Sequence, residues 1–254
     1  GIFRNGVRAW TSQAVHAGDV IETHLVETEP SDGILPRPVP FSVVYEDDDI
    51  LVVDKPADTP IHPSIGNYEN TLANGIAWYF EQKGEPFVYR CINRLDRDTT
   101  GLIVLAKHAL SAAVLSQAMR SREIHRTYQA FALGETAASG TIDAPIARLD
   151  GSLIQRTVDF ASGERSVTHY RTLAHCSVFS HLELNLETGR THQIRVHMAY
   201  IGHPLLGDTL YNKTPGTFPR QALHSASLSF VHPITGEPLN FHAPLPEDMQ
   251  NLLT

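Results

Sequence analysis

Cysteine is nearly missing from this chain of 254 residues: Cys91 and Cys176 are the only two, far apart and in no CxxC pair. That argues against a disulfide framework and against a cysteine-based zinc site, and a reducing, cytoplasmic setting is expected. Long apolar runs are missing as well. The longest, such as Leu102 to Ala106, fall far short of the roughly 20 residues a membrane-crossing helix needs. No charged-then-apolar leader opens the sequence, so no membrane partner is expected. Fourteen histidines invite a metal, yet HExxH spacing is absent, and His192 and His197 stand five apart rather than the four that aligns two imidazoles on a helix face. No metal is therefore expected, and most of these histidines are read as structural or facing a polyanion. His62 and His224 are read as satisfying backbone groups in loops.

An excess of positive charge is missing too. The formal net charge is -8, which at first sight excludes a nucleic-acid partner. The distribution changes that reading. Residues 19–58 hold 11 acids against Arg37 and Lys55, a net of -9. Residues 87–128 hold seven bases against Asp96, Asp98 and Glu123, a net of +4. A basic stretch set apart from the acidic one can still steer a polyanion, because the local field matters more than the total.

What is present is the pattern of an α+β protein. The hydrophobic content of 42% is enough to build a large core. Residues 1–28 form a first part that ends in a turn and a short strand. Residues 29–40, with Pro30, Pro36, Pro38 and Pro40, have linker composition. Residues 41–254 read as one main domain. In it, Ser42 to Tyr45 and Ile50 to Val53 flank an acidic turn and predict a hairpin. Asn70 to Lys83 predicts a helix capped by Asn70 and ended by Gly84. Gly101 to Ala106 predicts a strand, Ala109 to Ser121 a helix, and His181 to Glu187 a strand with alternating Leu182, Leu184 and Leu186. Thr191 to Ile201 predicts a helix stopped by Gly202 and Pro204. Few helices among irregularly spaced strands imply a mixed sheet with flanking helices, not a doubly wound fold.

Two segments carry chemistry. In Asn93-Arg94-Leu95-Asp96-Arg97-Asp98-Thr99-Thr100-Gly101-Leu102, Asp96 lies between two arginines, which favours an ionised carboxylate able to act as nucleophile or base. On composition alone a surface loop laced by ion pairs is the favoured reading. In Thr188-Gly189-Arg190-Thr191-His192-Gln193-Ile194-Arg195-Val196-His197, two arginines and two histidines cluster near a helix start, where backbone N–H groups favour an anion.

Together these segments resemble the RluA/RluD-type pseudouridine synthase family. That family's loop runs His-Arg-Leu-Asp-x-x-Thr-Ser-Gly-Leu, and its later string Thr-Gly-Arg-x-His-Gln-Ile-Arg-x-His. Further matching strings are Val53-Asp54-Lys55-Pro56 with His62-Pro63, Gly202-His203-Pro204-Leu205-Leu206-Gly207-Asp208, and Leu223-His224 with His232-Pro233-Ile234-Thr235-Gly236-Glu237. Five strings in the family's order span roughly residues 41–245. Asn93 stands where the family more usually has His, and Thr100 where it has Ser. Residues 1–28 are similar to the back half of a small RNA-binding module, whose two opening helices are not in this sequence.

The resemblance implies a pseudouridine synthase catalytic core: a mixed, largely antiparallel sheet with flanking helices and a central active-site cleft. It implies isomerisation of uridine to pseudouridine in RNA, ribosomal or transfer, on a nucleotide flipped into a pocket, with no cofactor. Asp96 is the implied catalytic carboxylate, Arg195 its partner, and Tyr128 a residue against the target base. Arg94 would fill the gap left by that base. Arg97, Lys107, Arg190 and His192 are implied RNA contacts, and a monomer is expected. A glycosylase using the same carboxylate, and a non-catalytic RNA-binding relative, are the rival readings.

Overall fold

Two runs of consecutive apolar residues set the centre of the structure. In Ile50-Leu51-Val52-Val53 and Leu102-Ile103-Val104-Leu105-Ala106 every residue is fully buried. Neighbouring side chains on a strand point to opposite faces, so an unbroken apolar run belongs to a strand covered on both sides. Leu51, Val53, Ile103 and Leu105 face one core with Leu72, Ile76 and Phe80. Ile50, Val52, Leu102 and Val104 face a second core with Leu115, Leu228 and Phe230.

The computed structural model describes residues 1–23 and 31–253. The end of the expected first part (24–28) and the start of the expected linker (29–30) lie outside those residues. Strands β1 (Ile2–Arg4), β2 (Val7–Ala9) and β3 (Ile21–Thr23) form a small antiparallel sheet of their own. The main chain continues through β4 (Ser42–Glu46), β5 (Ile50–Lys55), α1 (Leu72–Lys83), β6 (Thr100–Ala106), α2 (Ala109–Arg120) and β7 (His125–Leu133). Then come β8 (Ser139–Asp143), β9 (Ile146–Arg148), β10 (Arg156–Val158), β11 (Val167–His175), β12 (Phe179–Leu186), α3 (Gln193–Tyr200), β13 (Leu223–Val231), β14 (Pro238–His242) and the short α4 (Glu247–Gln250).

Nine strands build one sheet in the order β4-β5-β6-β13-β7-β12-β11-β8, with β14 beside β13. Every strand pair in it is antiparallel except β6 with β13. That parallel seam is short, joining His224 to Thr100 and Ser225 to Gly101. β9 and β10 form a separate hairpin. No helix among the described residues is long and apolar enough to cross a membrane.

Local details differ from the sequence-based expectations in instructive ways. The cap of α1 is Thr71, not Asn70. Thr71 Oγ1 accepts from the Asn74 backbone N–H, and Asn74 Oδ1 accepts in return from the Thr71 N–H at 3.0 Å. Asn74 Nδ2 also donates to the Leu35 carbonyl at 2.7 Å, laying the proline-rich strand of chain against α1. Gly84 ends the helix in the left-handed region, as its position implied. Helix α3 begins at Gln193 and not at Thr191, because His192 takes a left-handed conformation with φ of 58°. Gln193 closes the turn: its Oε1 accepts from Thr188 Oγ1 and the Arg190 N–H, and its Nε2 donates to the Val167 carbonyl.

Gly101 is needed at the seam. Its φ is 111°, and a Cβ there would lie 2.3 Å from the Ser225 carbonyl oxygen. Gly101→Ala is expected to lower stability by at least about 3 kcal/mol. Urea denaturation measures it; an unchanged midpoint would show that the seam tolerates a side chain.

Candidate active site

The segment 93–99 is a loop with almost no regular structure, yet it is tied from three directions. Asn93, buried, spans to β6: its Nδ2 donates to the Leu102 carbonyl at 3.2 Å and its Oδ1 accepts from the Val104 N–H at 2.9 Å. The residue that departs from the family pattern is thus a fastener between loop and sheet. From below, Lys55 Nζ donates to the carbonyls of Arg97 and Pro56, each at 2.8 Å. From the far side, Arg220 Nη1 donates to the Asp98 carbonyl at 3.1 Å. Lys55 is wholly buried, and that burial brings its amine down to about 7 despite the nearby Asp98 and Asp96.

On this loop Asp96 projects into a cleft of about 460 Å³, whose walls include His62, Ile154, Thr191 and Leu210. A narrower recess at its floor is lined by Asp96, Tyr128, Leu186, His192, Arg195 and Leu223, among others. Arg195, on the first turn of α3, donates from Nη1 to Asp96 Oδ2 at 3.0 Å. Ninety-nine residues separate the two in the chain.

The other edge of the same guanidinium is taken by a residue to which the sequence reading gave no role. Asp208, fully buried, accepts from Arg195 Nε at 2.7 Å and from Nη2 at 2.8 Å, a two-pronged pair. Asp208 Oδ1 also accepts from the backbone N–H groups of Leu210 and Tyr211. The ring of Tyr211 lies under the Arg195 guanidinium, 5.1 Å from centroid to Cζ. Burial opposes the charge of Arg195, but the hydrogen bonds and charges of Asp208 and Asp96 outweigh it and raise its pKa above the ordinary arginine value. The string Gly207-Asp208 marked the place. A Cβ on Gly207 would lie 1.9 Å from the Arg220 carbonyl oxygen, so the turn presenting Asp208 requires glycine.

The remaining predicted residues divide. Tyr128, on β7, is buried at the recess, and its hydroxyl has no hydrogen-bond partner among the described residues. Arg94 is exposed and lines both cleft and recess. His192 is pushed below the ordinary imidazole pKa by burial, against the pull of Asp96, and its Nε2 stands 3.9 Å from Asp96 Oδ1. Arg97 lines the cleft and pairs with Asp58. Arg190 lines the recess and pairs with Glu164. Lys107 does not join them. Its Nζ donates to Glu46 Oε1 at 3.0 Å and to the Asp47 carbonyl at 2.7 Å. Burial alone would raise the Glu46 carboxyl, but hydrogen bonds from Lys83, Tyr79 and Lys107 bring it down to about 2. Lys107 is a structural cation at the β4–β5 turn, and its reading as a phosphate contact is corrected on that ground.

The histidines away from the cleft are tied into the fold. His197 bonds Thr168 Oγ1 and the Ala144 carbonyl, and His224 bonds Thr100 Oγ1 and the Ala243 carbonyl. His62 sits edge-on to the Tyr89 ring at the cleft wall. Asp47, Asp49 and His232 are close enough together to hold a cation. His232 Nε2 and Asp47 already bond each other at 2.9 Å, and Asp47 also accepts from Tyr45 and from two backbone N–H groups, so the group closes the hairpin turn.

A loop carboxylate anchored by a buried arginine at the floor of a cleft in a mixed sheet defines the class of protein, and comparison with known proteins assigns it. The family model for RNA pseudouridylate synthase matches residues 49–200, and the chain belongs to that family. It is 42% identical over 250 residues to the uncharacterized RNA pseudouridine synthase YjbO of Bacillus subtilis, covering 98% of this chain and 88% of that protein. It is 43% identical to ribosomal large subunit pseudouridine synthase D of Vibrio cholerae, covering 92% of this chain and 76% of the relative. Among solved structures, human RNA pseudouridylate synthase domain containing 1 superposes with a TM-score of 0.68 at 26% identity, over 85% of this chain and 86% of that one. The enzyme is accordingly an RNA pseudouridine synthase, an isomerase of uridine in RNA.

Two outcomes test this geometry. Asp208→Asn leaves the buried Arg195 short of a charged partner, and a stability loss of about 3 kcal/mol is expected in urea denaturation; an unchanged midpoint would remove Asp208 as the anchor. Lys55 gives a pH signature. Its folded value, about 7, lies below the 10.5 of the unfolded chain. Between those values the unfolded state binds more protons, so stability rises with pH. Wild type is expected to gain on Lys55→Met from pH 7 to pH 10 and to show no such trend below pH 7.

Proposed function

We propose that this enzyme converts uridine to pseudouridine in large-subunit ribosomal RNA, with Asp96 as the catalytic carboxylate acting on a nucleotide flipped into the cleft. The observation that supports the reading most is the placement of Asp96: one oxygen is held by Arg195, the other accepts no hydrogen bond among the described residues, and Tyr128 lines the same recess. The reaction breaks the bond between N1 and C1′ and joins C1′ to C5; the C5 proton leaves and N1 gains one. Asp96 attacks or deprotonates the ribose–base unit while Arg195 keeps it ionised and aimed. Tyr128 lies against the base, where its unpaired hydroxyl can help remove the C5 proton. Arg94 fills the gap left in the stack, and Arg97 and Arg190 meet phosphates from the cleft rims. Ribosomal RNA is favoured by the likeness to ribosomal large subunit pseudouridine synthase D. The catalytic domain is read as residues 41–254, acting as a cytoplasmic monomer, with residues 1–28 as part of a separate RNA-binding module.

Asp96→Ala is expected to abolish pseudouridine formation in cellular RNA while leaving the circular dichroism spectrum intact; undiminished formation removes Asp96 from the mechanism. Mapping pseudouridines in cells with and without the gene identifies the substrate. Loss from large-subunit rRNA supports the proposal, and loss confined to tRNA overturns its choice of RNA. Release of free uracil from the RNA would instead mark a glycosylase.

A further inference from the structure

The proton positions around Asp96 can be worked out from the groups that surround His192. The Arg156 backbone N–H donates to Tyr211 Oη at 2.9 Å. Tyr211 Oη also lies 2.8 Å from His192 Nδ1. An amide N–H can only donate, so Tyr211 accepts from Arg156; the remaining partner for its own hydroxyl proton among the described residues is His192 Nδ1, and we place the proton there. His192 Nδ1 is then the bare nitrogen, and the ring proton sits on Nε2. The low imidazole pKa of His192, set first by burial, fits a neutral ring. Its side chain is 11% exposed, and Nε2 has no hydrogen-bond partner among the described residues.

That nitrogen lies near Asp96 and falls short of hydrogen-bond reach. The separation between His192 Nε2 and Asp96 Oδ1 is 3.9 Å, too long for a hydrogen bond. Asp96 Oδ2 is engaged by Arg195, while Oδ1 accepts no hydrogen bond among the described residues. A donor and an acceptor at this spacing can share one oxygen about 2.8 Å from each. It must accept from His192 and donate to Asp96. A carbonyl or phosphate oxygen can only accept and would face the carboxylate lone pair to lone pair. A hydroxyl meets both demands. A ribonucleotide whose C1′ is attacked beside Asp96 carries one hydroxyl two bonds away, the 2′-OH.

We infer that His192 is a substrate-binding residue whose Nε2–H, oriented by Tyr211, clasps the 2′-hydroxyl of the target uridine against Asp96, so that the site distinguishes RNA from DNA at the reacting nucleotide. The inference rests on Asp96 acting at that ribose. Tyr211 is a positioning residue in this scheme, joined at once to His192 and, through its ring, to Arg195. The 2′-oxygen is also the group by which proteins separate the two nucleic acids elsewhere.

The test uses the full chain and a hairpin RNA carrying the mapped uridine, compared with the same hairpin bearing 2′-deoxyuridine there. Equilibrium binding before turnover is expected to weaken about tenfold for the deoxy hairpin with wild type. His192→Asn keeps a side chain suited to the left-handed backbone but places no N–H at the Nε2 position, and the ratio is expected to fall to about threefold. His192→Gln, whose amide reaches further, restores part of the difference. An equal ratio in wild type and His192→Asn overturns the inference. Nitrogen-15 spectra of the free enzyme give an independent readout: His192 protonated on Nε2 is expected, with the preference lost in Tyr211→Phe, and a proton on Nδ1 in wild type overturns the assignment. The two readings fail separately. If Asp96→Ala still makes pseudouridine, the catalytic reading falls. If Asp96 is essential and the ratio does not move, this one falls.

Discussion

One guanidinium between two carboxylates holds the centre of this enzyme. Taking three charges out of water is expensive, and geometry alone repays it. The repayment here is unequal. Asp208 is wholly buried and takes two parallel hydrogen bonds, with further backbone donors on its own oxygens. Asp96 takes a single bond, and its side chain remains 24% exposed. The buried partner anchors the arginine, and the half-open partner is what the arginine presents to the cleft. Because the three residues come from the loop before β6, from α3 and from the turn before β13, the same contact draws the remote parts of the chain together.

The loop that carries Asp96 is rigid for a different reason. Its carbonyls are captured by cations from outside it, Lys55 below and Arg220 behind, and Asn93 stitches its start to β6. A segment without regular structure thus gains the fixed geometry that a preorganised site requires. Burying a lysine for this purpose carries an energetic cost, visible in its depressed pKa.

Much of this could be read from the residues themselves. Unbroken apolar runs gave β5 and β6, alternating leucines gave β12, and Gly84 marked the end of α1. The loop and the α3 string stand out because both are dense in charge and lie at element boundaries, but it was the family resemblance that gave them a role. Asp208 was given no role although it ends one of the matching strings: a single acid in a turn does not show its partner, which is 13 residues away. Lys107 was misread for the converse reason. Its positive charge is visible in the sequence, while the Glu46 that neutralises it is 61 residues distant. The first turn of α3 was overextended because an αL histidine leaves no mark in a hydrophobic pattern, and the β9–β10 hairpin went unread because three-residue strands carry too little periodicity to see.

The parallel seam between β6 and β13 has an architectural consequence. Its two strands run the same way and both begin beside the site: Thr99, just before β6, and Leu223, the first residue of β13, line the recess. The floor of the cleft is thus set by where these two strands begin, not by how long or how apolar its rims are. At the rims themselves, Ile154 is 63% exposed and contributes nothing to the cores. Evolution can redraft those borders for a new RNA contour while the chemical floor stays unaltered, which is how one scaffold can serve many addresses.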